Sequence, residues 1–446
     1  LWGHNNYGQT GGAVNVDIDA PEAWSVSRGD SVVVAVIDSG LDIDHADIAS
    51  NVYVNAGEIP LNGIDDDGNG FVDDARGFNA VAGAHDPIDF DGHGTSVAGV
   101  IAAQGNNSDG LVGVAPNAKI LAIKASEEGA FTMASILAGV DYVLKAKRRG
   151  VNVRVVNASF GGAYTCSPAE REYVSALHSN NILLVAAAGN SAANNDQTPA
   201  SPANCESPSL LSVASVSASG SISDFSNFGA KTVDVAAPGS GIVMLSPDSG
   251  YTVGSGTSMA APYVSGVAAL LFANNPRLTP TEARRIIMNT VKPLKALEGK
   301  VVSPGIVSAA GALGLTTQLI PSPPVGTLGT PISYSAATSS SAKKAPITIT
   351  ISEPLSVQSV GCFKASVSPS MRGHRVDVKV RGSVVAFELV QVRGRRTVRV
   401  GWPSKRTLSV TIKGNCAFGQ NGSLLDSDLD GVAGGRSRTL KIRLKG

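Results

Sequence analysis

Three short segments bring together the side chains that a covalent acyl-transfer reaction needs. Val36-Ile-Asp38-Ser-Gly40 ends an apolar run on a carboxylate, and Asp91-Gly-His93-Gly-Thr-Ser-Val-Ala-Gly99 sets an imidazole at the start of a small-residue stretch. Gly254-Ser-Gly-Thr-Ser258-Met-Ala-Ala-Pro262 presents a serine at a glycine-rich turn. A serine hydroxyl is a weak nucleophile at neutral pH and needs a base within hydrogen-bond reach. A neutral imidazole takes that proton and returns it to the leaving amine, while a carboxylate on the far ring nitrogen fixes the tautomer and stabilises the imidazolium. Ala186-Ala-Ala-Gly189-Asn190 adds a side-chain amide, a donor for the developing oxyanion worth on the order of 3 kcal/mol. Taken singly, each has a plainer role: Asp38 as a strand-end cap, His93 as a core imidazole, Ser258 as a helix N-cap, Asn190 as a turn residue. Only their joint occurrence argues for catalysis.

Such groups must be held by a rigid frame. Residues 31–38, 118–124, 151–157, 182–188 and 210–214 read as short, continuous apolar strands, and amphipathic stretches such as 133–149 and 168–179 read as helices between them. Continuous apolar strands alternating with helices predict an α/β domain with a parallel sheet covered on both faces. In such sheets functional groups gather at the carboxyl ends of the strands, and Asp38 and Asn190 both stand just there. The histidines other than His93, namely His4, His45, His85, His178 and His374, read as surface residues.

The order Asp, His, Ser, with Asp-Ser-Gly, His-Gly-Thr, Ala-Ala-Gly-Asn and Gly-Thr-Ser-Met-Ala-Ala-Pro each in a fitting context, resembles the subtilase family from Trp2 through about Ala310. The resemblance implies a subtilisin-like catalytic domain over residues 1–315 and a secreted serine endopeptidase with Asp38, His93, Ser258 and Asn190 as its catalytic set. It implies an extended peptide substrate lying between two strand edges, Ser159-Phe160-Gly161 and Ala187-Ala188-Gly189, by main-chain pairing of the kind that leaves selectivity to side-chain pockets. Ser201-Pro202-Ala203 would stand near the base of the pocket beside the scissile bond. With no carboxylate obvious there, a broad preference for apolar or medium-sized residues is expected. The protein's own prodomain is the implied inhibitor, and a monomer is expected. Tyr263 departs from the family, which usually carries His after the Pro of the serine motif; altered packing is the expected consequence.

The four cysteines fall two and two, Cys166 with Cys205 and Cys362 with Cys416 standing in different parts of the chain. An even count suits two disulfides in an oxidising compartment, although three connectivities are formally possible. The family resemblance implies that Cys166 and Cys205 staple two loops beside the cleft.

Acidic residues crowd positions 38–91. Within them, oxygen side chains alternate at Asp65, Asp67, Asn69 and Asp73, and the carbonyl of Phe71 completes a set able to wrap a hard cation in a glycine-rich loop. The segment lacks the closing Glu of an EF-hand, but subtilases with a similar insertion use it as a calcium loop, so a structural Ca2+ is the implied cofactor. Asp426, Asp428 and Asp430 repeat the alternation late in the chain without later ligands.

At 446 residues, two or three domains are expected. Only 16% of residues are charged and 50 are Gly, which suits a tightly packed, loop-rich extracellular enzyme. Formal net charge is zero, so nothing favours a nucleic acid or an anionic membrane as partner. No apolar run approaches the ~20 residues of a membrane-crossing helix. A start at Leu1 without Met suggests a processed chain. Proline and glycine mark residues 316–331 as a linker, and alternating runs at 347–352, 375–380, 383–392, 397–402, 408–413 and 439–444 predict a small all-β, sandwich-like domain over 332–446, rich in Arg and Lys.

Overall fold

The computed structural model describes residues 1–315 except 108, 109 and 128, and beyond them the backbone of short strands only. The chain divides into two compact units, Leu1–Thr317 and Gln318–Gly446.

In the first unit the strands are β1 (Val33–Asp38), β2 (Phe78–Asn79), β3 (Lys119–Lys124), β4 (Ser126–Glu127), β5 (Ala130–Phe131), β6 (Val153–Ala158), β7 (Leu183–Ala187), β8 (Leu210–Val216), β9 (Val235–Pro238), β10 (Ile242–Ser246), β11 (Gly250–Gly254), β12 (Lys292–Pro293) and β13 (Gly305–Ile306). The helices are α1 (Ala20–Ala23), α2 (His93–Ala102), α3 (Met133–Arg148), α4 (Pro168–Ser179), α5 (Thr257–Asn274), α6 (Pro280–Asn289) and α7 (Ala309–Ala312). Nine strands form one sheet in the order β12-β13-β9-β8-β7-β6-β1-β3-β2, parallel throughout except for β12 against β13. Hairpins β4–β5 and β10–β11 stand outside it.

Every residue of β1, β6, β7, β8 and β9 is buried, the pattern of a parallel sheet covered on both faces. Because side chains alternate along a strand, β1 feeds two cores. Val34 and Val36 join the larger one with Val264, Val267 and Leu271 of α5, while Val33, Ala35 and Ile37 join the other with Val140, Val143 and Leu177 of α3 and α4. Helix α5 is apolar around most of its circumference and correspondingly buried from Met259 through Phe272. Both α3 and α4 begin with capping boxes, Thr132 with Ser135 and Ser167 with Glu170.

The second unit contains strands β14 (Ile347–Thr350), β15 (Phe363–Ser368), β16 (His374–Arg381), β17 (Val384–Arg393), β18 (Arg396–Arg399), β19 (Thr407–Ile412) and β20 (Arg438–Arg443). They pair antiparallel as β14-β17-β16, with β18 also on β17, and as β15-β19-β20. Cys362, Cys416, Asp426, Asp428, Asp430 and the expected linker lie outside the described residues.

Two histidines correct the expectation of surface positions. His4 and His45 are buried. The His4 ring packs 5.3 Å from that of Tyr263 and 6.0 Å from that of Trp24. His45 accepts the Asp47 N–H at Nδ1 and therefore donates from Nε2 to the Gly250 carbonyl at 3.0 Å. Tyr263 is itself almost wholly buried, and its ring contact is with His4 of the N-terminal segment.

Candidate active site

Asp38 is the last residue of β1, which runs between β3 and β6 in the sheet. His93 is the first residue of α2. Its Nδ1 lies 2.7 Å from Asp38 Oδ1, which also accepts the Ser39 N–H at 2.8 Å. A carboxylate oxygen only accepts, so Nδ1 carries the proton and Nε2 is left as the basic nitrogen. Burial pulls the His93 pKa down, but the Asp38 charge and hydrogen bond, helped by Asp91 and Asp89, outweigh it and raise the value to about 9.

Two features let the imidazole come this close. A Cβ on Gly94 would collide with the Gly40 carbonyl and stand 3.1 Å from Asp38 Cβ, so only glycine fits where α2 starts against the end of β1. Asp89, which the sequence reading passed over, is a buried hub. Its Oδ1 accepts from Ser39 Oγ and the Gly92 N–H, and its Oδ2 accepts from the N–H and hydroxyl of Thr95. Ser39 Oγ in turn accepts the Gly94 N–H at 2.8 Å. A carboxylate at a helix N-terminus is also favoured by the helix dipole.

Ser258 is the second residue of α5, where a helix start leaves backbone N–H groups without intrahelical acceptors. Asn190 follows β7 and reaches the same turn. Its Oδ1 accepts from both the N–H and the hydroxyl of Thr257, each at 2.8 Å. That assigns the amide, because the oxygen is engaged and Nδ2 must point the other way. A Cβ placed on Gly256 would lie 2.8 Å from Ser258 Oγ and 3.6 Å from Asn190 Nδ2, so hydroxyl and amide flank one small space that glycine keeps open. Thr257 is a second functional residue missed in the sequence; its hydroxyl also accepts the Gly189 N–H at 3.1 Å.

Ser159, Phe160 and Gly161 leave the carboxyl end of β6. Phe160 stacks on Phe131 of β5, with ring centroids 4.7 Å apart. Gly162 and Ser201 pair through both main-chain hydrogen bonds at 3.0 Å. Ala187 ends β7, and beyond it the Ala188 N–H is bonded to the Val213 carbonyl and that of Gly189 to the Thr257 hydroxyl. Cys166 and Cys205 form a disulfide with Cα atoms 5.2 Å apart, tying the loop before α4 to the loop that carries Ser201, Pro202 and Ala203.

In the acidic loop, carboxylate oxygens of Glu58, Asp65 and Asp67 all lie within 4.8 Å of one another. Glu58 is a member the sequence reading did not include; it sits outside the alternating run. The Gly70 N–H, accepted by Asp65, holds that carboxyl below its usual range. Asp73 turns away, accepting the N–H groups of Asn62 and Gly63. Asn69 donates its amide to Asp74 at 3.0 Å, and the Phe71 ring packs 4.8 Å from that of Tyr142. A cavity of about 230 Å³ lies beside this loop, between Tyr53, Asp67, Asp74, Tyr142 and Arg149. It is lined by none of the residues around His93 and Ser258.

A model of the subtilase family matches residues 29–322. The chain belongs to the subtilase family of subtilisin-like serine proteases. It is 32% identical over 314 residues to Subtilisin-like protease 1 of Plasmodium berghei, covering 66% of this chain and 51% of that protein. It is 33% identical over 293 residues to the Cell wall-associated protease of Bacillus subtilis, covering 65% of this chain and 29% of that protein. Among solved structures, a cold adapted subtilisin-like serine proteinase is 29% identical with a TM-score of 0.55, covering 69% of this chain and 98% of that one. The chain spans about half or less of the length of these two curated relatives.

Proposed function

We propose that the chain hydrolyses internal peptide bonds as a serine endopeptidase. Ser258 Oγ adds to the scissile carbonyl carbon as its proton passes to His93 Nε2, and the carbonyl electron pair moves to oxygen. The oxyanion accepts from Asn190 Nδ2 and the Ser258 N–H, while Asp38 stabilises the imidazolium. His93 then gives the proton to the amine as the C–N bond breaks, leaving an acyl group on Ser258. Water repeats the sequence and releases the acid. The observation that carries this reading is the double hold of Thr257 on Asn190 Oδ1, which leaves the amide nitrogen beside the Ser258 hydroxyl.

The substrate lies extended along Ser159, Phe160 and Gly161, with Ala187, Ala188 and Gly189 as pocket wall. Broad selectivity for apolar or medium-sized residues fits Ser201, Pro202 and Ala203 near the base of the pocket, none of which carries a charge. The donor set of Glu58, Asp65 and Asp67 is all oxygen and anionic, as a hard cation requires. These carboxylates would hold Ca2+, with Asn69 and Phe71 on the same loop; the ion would neutralise the cluster and brace the fold. The Cys166–Cys205 disulfide supports an oxidising, extracellular setting. Inhibition by the protein's own prodomain and a monomeric state complete the proposal.

The test is hydrolysis of a peptide library followed by mass spectrometry. Cleavage within peptides that Ser258→Ala abolishes supports the reading; equal cleavage by both proteins overturns it.

A further inference from the structure

Helix α5 contains a proline one turn after its serine. Pro262 has no N–H, so the donor that an unbroken helix would offer to the carbonyl four residues earlier, that of Ser258, is missing. A buried carbonyl without a partner is costly, and here the orphan belongs to the main chain of the nucleophile. Ser159 supplies the missing donor, its hydroxyl reaching the Ser258 carbonyl at 2.8 Å.

Ser159 does not act alone. Its Oγ accepts from Asn157 Nδ2 at 2.9 Å, and Asn157 Oδ1 accepts from the Ser265 hydroxyl at 2.8 Å. Asn157 and Ser265 are fully buried, and Ser159 nearly so. The chain of bonds fits the two periodicities. Asn157 and Ser159, two apart at the end of β6, share one face of the sheet, and Ser258 and Ser265, seven apart on α5, share one face of the helix. Three hydrogen bonds therefore run from Ser265 through Asn157 and Ser159 back to Ser258, bridging the stretch of helix that Pro262 interrupts. Each hydroxyl has one proton, so this polarity is fixed from end to end: Ser265 to Asn157, Asn157 to Ser159, Ser159 to Ser258.

We propose that Asn157, Ser159 and Ser265 are positioning residues, which fix the main chain at Ser258 and so aim its Oγ at the scissile carbonyl. The proposal rests on Ser258 being the nucleophile. A bracing role of this kind acts on the rate of acylation and leaves substrate binding largely intact, because the main-chain contacts of Ser159, Phe160 and Gly161 persist when a side chain is trimmed.

The experiment compares kcat and KM for a peptide substrate, together with Tm, in the full chain. Ser159→Ala is expected to lower kcat by about 10- to 100-fold, the scale of a small misplacement of a reacting group, with KM changed less than about threefold. Ser159→Thr, which keeps the hydroxyl, is expected to recover most of the loss. Asn157→Ala and the Asn157→Ala/Ser159→Ala pair should fall to about the same kcat, since links of one chain are not additive. A Ser159→Ala protein with wild-type kcat, a loss carried by KM, or additive losses in the pair would each overturn the proposal. Should Ser159→Ala fail to fold, the Ser159→Thr and Ser265→Ala proteins decide it: unchanged kcat in Ser265→Ala overturns it, and a fall there with recovery in Ser159→Thr supports it. Ser258→Ala separates the two levels. Retained turnover in that variant defeats the nucleophile assignment itself, whereas an inactive Ser258→Ala beside a fully active Ser159→Ala defeats only the positioning role.

Discussion

Thr257 donates twice to Asn190, its N–H and its hydroxyl each reaching Oδ1 at 2.8 Å. One residue at the start of α5 thus orients the amide at the end of β7, and it is the immediate neighbour of Ser258. Ser258 and Asn190, the proposed nucleophile and oxyanion donor, are tied to the same helical turn, so a displacement of that turn moves both together. Asn190→Ala should lower kcat by about 10²- to 10³-fold with little change in KM. Thr257→Val, which deletes one of the two donors, should give a smaller loss in the same parameter. Steady-state kinetics on one peptide substrate checks both, and a loss confined to KM would contradict the assignment.

With His93 as the proposed base, its environment predicts a pH dependence. Its pKa is raised to about 9, with Asp38 the largest raising influence and Asp91 contributing. The base must be neutral to accept the serine proton, so kcat/KM should climb with pH and show its midpoint near 9, well above the ~6.5 of a free imidazole. Asp91→Asn should move the midpoint downward. A wild-type midpoint at the free-imidazole value would contradict this electrostatic account.

The carboxylates of Glu58, Asp65 and Asp67 should make stability depend on calcium. For an ion at about one hundred times its Kd the linkage is about 2.7 kcal/mol, which for a unit of this size corresponds to a Tm lowered by roughly 4 °C on chelation. Differential scanning fluorimetry with and without chelator measures this. Glu58→Gln should shrink the difference, and an unchanged Tm on chelation would count against the loop as a cation site.

His4 predicts acid sensitivity. Burial, followed by the nearby N-terminal charge, lowers its pKa to about 3. Neither ring nitrogen has a hydrogen-bond partner. The folded state therefore holds the neutral ring while the unfolded chain binds a proton below ~6.5, so this contribution is present in full above that pH and is lost as pH falls toward 3. The slope is about 1.4 kcal/mol per pH unit for one proton. Between pH 8 and pH 5, His4→Phe should lose less Tm than wild type; equal losses would refute the assignment.

The strands and helices that carry Asp38, His93, Asn190 and Ser258 were legible because continuous apolar runs and helical periodicity are local signals. Thr257 and Asp89 were not, because their roles depend on what lies across the fold: a threonine before a serine and an aspartate before a histidine carry no mark of their partners. Val235–Pro238 of β9 is short and alanine-rich, without the β-branched density that flagged its neighbours. His4 and His45 escaped for a related reason, since burial of a polar ring is decided by partners distant in sequence. Glu58 stands seven residues before Asp65, outside the alternation that drew attention to the loop.

The most direct test of the central claim is covalent labelling of the folded chain with a fluorophosphonate, read by intact mass and by mapping of the modified peptide. The account predicts one adduct per chain, located on Ser258, and its loss in Ser258→Ala and in His93→Ala. An adduct that persists in Ser258→Ala, or a folded wild-type chain that takes up no label, would contradict it.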